Sequence, residues 1–143
     1  MNRNEMKLEF DSISTNEAFA RVTVAAFMAQ MNPSMEEVAD VKTAVSEAVT
    51  NAIIHGYEGS IHKIMISGRI EEQQLFLEIA DRGVGIVDIK KAMEPMYTSR
   101  PELERSGMGF LFMEAFMDEV QVISQPGKGT TVRMKKQIGQ HGA

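Results

Sequence analysis

Within the run S-E-A-V-T-N-A-I-I-H-G-Y, Ser46 to Tyr57, three polar side chains recur at an interval of four: Glu47, Asn51 and His55. On a helix such residues lie one above another, so a carboxylate, an amide and an imidazole share a face. A positioned carboxylate can take a proton. An amide oxygen suits Mg²⁺ and is a poor ligand for transition metals, which argues against a three-residue transition-metal site. A solvated helix stripe has the same pattern, and His55 suits packing or capping near the helix end. A second polar island, D-R-G-V-G-I at Asp81 to Ile86, sets a carboxylate at a strand end before two glycines. The carboxylate can accept from an exocyclic amine, and the glycines admit a ligand close to the backbone; a plain strand-ending turn fits as well. The third, R-S-G-M-G-F at Arg105 to Phe110, is a glycine loop opening a helix. Its N–H groups attract phosphate and Arg105 adds a fork for terminal oxygens, although Ser106 could simply cap the helix. It matches neither a P-loop nor a dinucleotide fingerprint. The fourth, G-K-G-T-T at Gly127 to Thr131, reads by itself as a hairpin turn.

The elements that must position these islands follow from periodicity and punctuation. Lys7 to Phe10 alternates as a strand with Met6, Leu8 and Phe10 on one face. Ser14 and Glu17 form a capping-box pattern before a helix that runs to about Met31, where Asn32-Pro33 ends it. Ser34 and Glu37 repeat the pattern and open a second helix that carries Glu47 and Asn51 and stops at Gly56. Ile61 to Ile70 and Leu75 to Ala80 alternate as a hairpin. A short helix follows over Asp88 to Met93, then a polar loop from Tyr97 to Ser106 of functional length. Gly107-Met108-Gly109 leads into an apolar helix through Phe116, and Val120 to Ser124 with Thr131 to Lys135 make a last hairpin. The order predicts an α/β sandwich of the α+β class: a mixed, largely antiparallel sheet with helices on one face. Residues 1–138 form a single domain and 139–143 a loose tail.

Composition removes several function classes. The 143 residues suit one domain, and the absence of cysteine excludes a thiolate metal site, a cysteine nucleophile and a disulfide scaffold. The first residues lack an apolar signal region and no run is long enough to span a membrane, so cytoplasmic residence is expected. A net charge of −5 argues against direct, sequence-independent binding of nucleic acid. The 12 methionines fit core gap-filling, or adaptation to more than one partner.

In combination the islands are far more specific than singly. Asn on a helix, D-x-G-x-G after a strand, a glycine loop opening a later helix and G-x-G-T in a last hairpin resemble, in that order and over nearly the full chain, the GHKL superfamily of ATP-binding domains, which includes gyrase, histidine kinases and mismatch-repair ATPases. More narrowly, S-E-A-V-T-N-A-I-I-H-G-Y, P-E-L-E-R-S-G-M-G-F, F-M-D-E-V and the early A-F-A-R-V-T-V-A-A-F resemble the anti-sigma-F family of endospore-forming bacteria, which are small serine protein kinases. The resemblance implies an ATP-binding kinase domain in which Asn51 holds the Mg²⁺ bridging the ATP phosphates and Glu47 is the base for an incoming serine hydroxyl. It implies that Asp81, helped by Thr130, accepts from the adenine amine, and that Gly83 and Gly85 leave room for the nucleotide. Gly107 and Gly109 would cradle phosphates in a Tyr97 to Gly109 lid, with Arg105 sensing the γ-phosphate. Such a site suits phosphoryl transfer, which needs charge neutralisation and an in-line nucleophile. The implied partners are a sigma factor of sigma-F type, an anti-anti-sigma protein phosphorylated on serine, and a second copy of the chain in a homodimer. Arg21 matches a partner-contact position, and also reads as a solvated helix arginine. Arg82, where the family motif has an acidic or small residue, and a short Tyr57 to His62 connection depart from the pattern on the adenine side.

Competing functions remain open in the sequence. A related general-stress anti-sigma kinase shares the features above. A nucleotide-gated binding module without turnover would keep the same pocket. An ATPase machine is expected to carry a transducer domain after the ATP site, and a histidine kinase a helical phosphoacceptor domain before it; neither is expected here.

Overall fold

The computed structural model describes residues 3–58, 60–85 and 109–139. Strands β1 (Arg3–Asp11), β2 (Lys63–Glu71), β3 (Gln74–Asp81), β4 (Glu119–Gln125) and β5 (Gly129–Gln137) form one sheet in the order β1-β2-β3-β5-β4. All four pairings are antiparallel. Helices α1 (Thr15–Met28), α2 (Met35–Asn51) and α3 (Gly109–Phe116) supply the second layer, with α2 in the middle touching both others. The expected sandwich is therefore present, with an antiparallel sheet among the described residues. The short helix expected at Asp88 to Met93 and the loop at 97–106 lie outside them, as does most of the tail. No helix among the described residues is long and apolar enough to cross a membrane.

Alternation decides which sheet face meets the helices. Ile64, Ile66 and Ile70 of β2, Leu75, Leu77 and Ile79 of β3, and Val132 and Met134 of β5 are buried on one face. Against them pack Ala20, Val24 and Met28 of α1, Val41, Val45, Ala48 and Val49 of α2, and Met113 of α3. Met28, Met31, Met113, Met117 and Met134 all lie in this core, the gap-filling use of methionine. The other face is polar: Arg69 stacks 4.2 Å above the Phe76 ring, Lys135 reaches the same ring, and Arg133 pairs with Glu78 at 2.5 Å.

The two predicted capping boxes have different outcomes. At α2, the Ser34 Oγ accepts from the Glu37 N–H and the Glu37 carboxylate accepts from the Ser34 N–H, at 3.1 and 2.9 Å. At α1 the box is absent: Ser14 has helical dihedrals and its side chain makes no cap bond. Glu17 is instead taken by other partners, accepting from the Ser46 hydroxyl of α2 and lying 3.5 Å from the guanidinium of Arg21, one turn on in α1. A charged partner and a second helix together outcompete one backbone N–H. Strand β1 also begins four residues before the sequence reading placed it, because Arg3 to Met6 pair with Gly68 to Glu71 despite weak strand propensity.

Candidate nucleotide-binding site

Among the described residues the buried polar or charged ones are Ser12, Asp81 and Thr130. Two of the three face each other: Asp81, the last residue of β3, pairs with Thr130 at the start of β5. The alternation that buries Leu77 and Ile79 carries Asp81 onto the helix side, where no cation among the described residues neutralises it. Its Oδ1 accepts from the Gly83 N–H at 2.9 Å, and a backbone bond from Thr130 adds to this. Burial nevertheless dominates and raises its pKa above the ordinary 3.8, the two N–H donors opposing the shift. Such a carboxylate, at the end of a strand beside the helix layer, suits an amine donor from a ligand. Thr130 contributes a second polar group. The Ser124 hydroxyl donates to the Gly129 carbonyl at 3.0 Å, so in the 2.8 Å contact between the two hydroxyls Thr130 is the donor. That leaves the Thr130 oxygen as an acceptor.

The turn after Asp81 is fixed by backbone on both sides. The Val84 N–H donates to the Gly56 carbonyl at 2.8 Å, and the Gly127 N–H donates to the Val84 carbonyl at 2.7 Å. A Cβ on Gly83 would stand 1.8 Å from the Gly56 oxygen, and one on Gly85, which has φ +77°, 2.1 Å from the Gln125 oxygen. Both glycines are therefore demanded by the chain's own backbone, a cause that the sequence motif does not reveal.

Glu47 and Asn51 stand four residues apart near the end of α2, both half-buried. Ser46, bonded to Glu17, marks the α1 flank; at about 100° per residue Glu47 lies about 100° and Asn51 about 140° round the helix from it, toward the α3 side. Past Asn51 the helix widens into a π turn over Ala52–Gly56, which carries His55, with the Tyr57 N–H bonded to the Ala52 carbonyl. Gly109 is the first residue of α3; Arg105 and Gly107 lie outside the described residues. Arg21 is on α1, its guanidinium against Glu17 and its side chain part-exposed.

Two residues that the sequence reading did not assign belong to the site. A Cβ on Gly56 would meet the Asp81 Cγ, Oδ1 and Oδ2, all at 2.8 Å, so the carboxyl lies flat against that glycine. Tyr57, buried, sends its hydroxyl to the ends of both β2 and β3. The signal available is the G-Y pair at the helix end, in which the sequence marks Gly56 as a stop and Tyr57 as the start of a short connection.

The histidine kinase-like ATPase domain family matches residues 13–136, a span that leaves out β1 and the last residue of β5. The chain is 58% identical over 138 residues to the anti-sigma F factor of Clostridium acetobutylicum, covering 96% of each chain. The chain belongs to the anti-sigma F factor family. The anti-sigma F factors of Pasteuria penetrans and Bacillus cereus are each 56% identical to it over 142 residues, covering 96% and 99% of this chain and 93% and 97% of theirs. Among solved structures, the RsbU and RsbW domains of Rv1364c from Mycobacterium tuberculosis superpose with a TM-score of 0.67 at 18% identity. That match covers 94% of this chain and 32% of the other, and it is a likeness of fold. As an anti-sigma F factor with an ATPase domain of this type, the chain has its Asp81 to Gly85 turn and its α2 polar residues within the matched span.

Proposed function

We propose that the chain is an ATP-dependent protein-serine kinase that restrains a sigma-F type sigma factor and phosphorylates a serine of an anti-anti-sigma partner. The observation that carries the reading is the Asp81–Thr130 pair, a buried carboxylate and hydroxyl at the mouth of a backbone-locked glycine turn. Membership of a family named for sigma-factor antagonism supports the partner.

The residues present fit Mg·ATP. Asp81 and the Thr130 oxygen are acceptors of the kind an adenine amine needs, and Gly56 keeps the carboxyl from being crowded. Asn51 offers a neutral hard oxygen that would hold Mg²⁺, which would supply charge neutralisation at the phosphates. Glu47, one turn from Asn51 on the same flank, takes the proton of the serine hydroxyl as the serine oxygen bonds the γ-phosphorus and the bond from phosphorus to the departing ADP oxygen breaks. Arg105 and Gly107, with Gly109 at the start of α3, are assigned to the phosphates. The sigma factor is assigned to a surface including Arg21. A homodimer belongs to the same reading: the open sheet face, with Arg69, Lys135, Glu78 and Arg133, carries both charge signs, as a self-complementary surface requires. Function in the cytoplasm follows from these partners.

The test is to incubate the full chain with Mg·ATP and the anti-anti-sigma-type protein and to measure phosphoserine by mass spectrometry. One phosphate per partner chain is expected. Nucleotide binding without transfer to a competent partner would sink the kinase and leave a nucleotide-gated binding module.

A further inference from the structure

Tyr57 is placed where the sheet ladder would otherwise continue. Its hydroxyl donates to the Lys63 carbonyl at 2.5 Å and accepts from the Arg82 N–H at 2.7 Å. The register of β2 and β3, which pairs Glu71 with Gln74 and Met65 with Ala80, would set Lys63 opposite Arg82. That position has the same parity as the Glu71–Gln74 pair closing the two-residue hairpin, and in an unbroken ladder its N–H and C=O bond directly. The phenol oxygen stands between them instead. It holds the end of β3 away from β2 by the width of a hydroxyl, and the chain beyond turns to the helix side, where Val84 bonds Gly56 and Gly83 bonds Asp81.

We propose that this inserted hydroxyl makes Tyr57 a positioning residue for the nucleotide's base, setting the Asp81 carboxyl and the glycine turn; the role rests on the nucleotide reading above. Without the hydroxyl, Arg82 is free to bond Lys63 directly. The ladder then gains a residue pair, and Gly83 and Val84 are drawn off Gly56. The ring itself packs against His62, with centroids 4.9 Å apart, and Tyr57→Phe leaves that contact intact.

Calorimetry with ADP and ATP on the full chain, for wild type, Tyr57→Phe and Asp81→Asn, tests the role, together with single-turnover phosphate transfer at saturating ATP. Tyr57→Phe is expected to weaken ADP and ATP by the same factor, about tenfold, the scale of a lost buried hydrogen bond. Transfer at saturation should stay within about twofold, because Glu47 is untouched. A residue that merely stabilises the fold would lower the melting temperature without this split. Unchanged ADP affinity in Tyr57→Phe, with loss in Asp81→Asn, overturns the positioning role and leaves the nucleotide reading standing. No ADP binding by wild type removes both. Amide exchange on the wild-type chain gives a reading independent of how well the variant folds: ADP should slow Arg82 and Val84 together. Protection of Val84 with Arg82 unchanged counts against the role.

Discussion

Asp81 is held by backbone, with N–H groups of Gly83 and Thr130 on its carboxyl and the bare face of Gly56 beneath it, whereas Glu47 and Asn51 take their positions from one helix, α2. The first arrangement is complete before any ligand arrives. Its demands are steric, so it tolerates few changes at glycine. The second is carried by side chains of a single helix, both half-buried. In the proposed reading, base recognition and phosphate chemistry thus sit on different mechanical supports, one a backbone-bonded turn and one a helix flank.

The largest effect should come from the helix-borne half. Glu47→Gln keeps shape and hydrogen bonding but removes the basic oxygen. Transfer to the serine substrate should fall about 10²–10⁴-fold, the range for a positioned general base. ADP and Mg·ATP affinities should hold, since the base end is untouched. Single-turnover transfer beside calorimetry on one preparation reads both, and a transfer rate within a few-fold of wild type removes Glu47 as the base.

Asp81→Asn strikes the preorganised half. ADP and ATP should both weaken by about 1.5–3 kcal/mol, the value of a charge-assisted hydrogen bond. Burial raises the folded-state pKa of Asp81 above 3.8, so this group favours folding most at a pH below that value and the contribution is lost as pH rises through the raised pKa. At neutral pH the buried charge is therefore a cost, and Asp81→Asn should melt higher than wild type while binding less. The same shift makes ADP binding weaken on acidification before an ordinary aspartate would titrate, because a protonated carboxyl donates where the amine needs an acceptor. A pH-independent ADP affinity down to the ordinary aspartate range contradicts this.

The smallest effects concern the helix frame that supports Glu47 and Asn51. Ser34→Ala removes the observed capping box of α2 and should cost about 1 kcal/mol of stability by denaturant titration. Ser14→Ala, at the pattern that makes no cap, should stay within about 0.5 kcal/mol. Neither should change ADP affinity. Equal losses for the two serines would mean that α1 is capped in solution.

Those serines show where the sequence was legible and where it was not. S-x-x-E is a local pattern, and at Ser34 the Glu37 carboxylate keeps the Ser34 N–H while also accepting from the Gly139 N–H at 3.3 Å. At Ser14 the competitor, Ser46, lies 29 residues along the chain from Glu17, beyond any local window. Alternation placed Met6, Leu8 and Phe10 on the face that the structure turns inward, with Phe10 buried. It could not extend β1 back to Arg3, because that extension is supplied by β2. Spacing put Glu47 and Asn51 on one flank of α2 but gave no sign of the π turn that carries His55, since such a turn has no mark in hydrophobic period. Gly56 and Tyr57 escaped notice because their meaning depends on Asp81 and Arg82, strangers in sequence and neighbours only after the sheet forms.

Strand order adds a consequence for folding. The hairpins β2–β3 and β4–β5 are local and can close early, whereas β3 meets β5 only after the whole intervening chain has been gathered. Asp81 lies on one hairpin and Thr130 on the other, so their pairing is part of the seam along which two prefabricated pieces dock. A ligand gripped by both residues then binds the docked state and not its separated halves, and mass action adds its binding free energy to the seam. Occupancy of the pocket becomes a brake on unfolding, applied at the join between the two local hairpins.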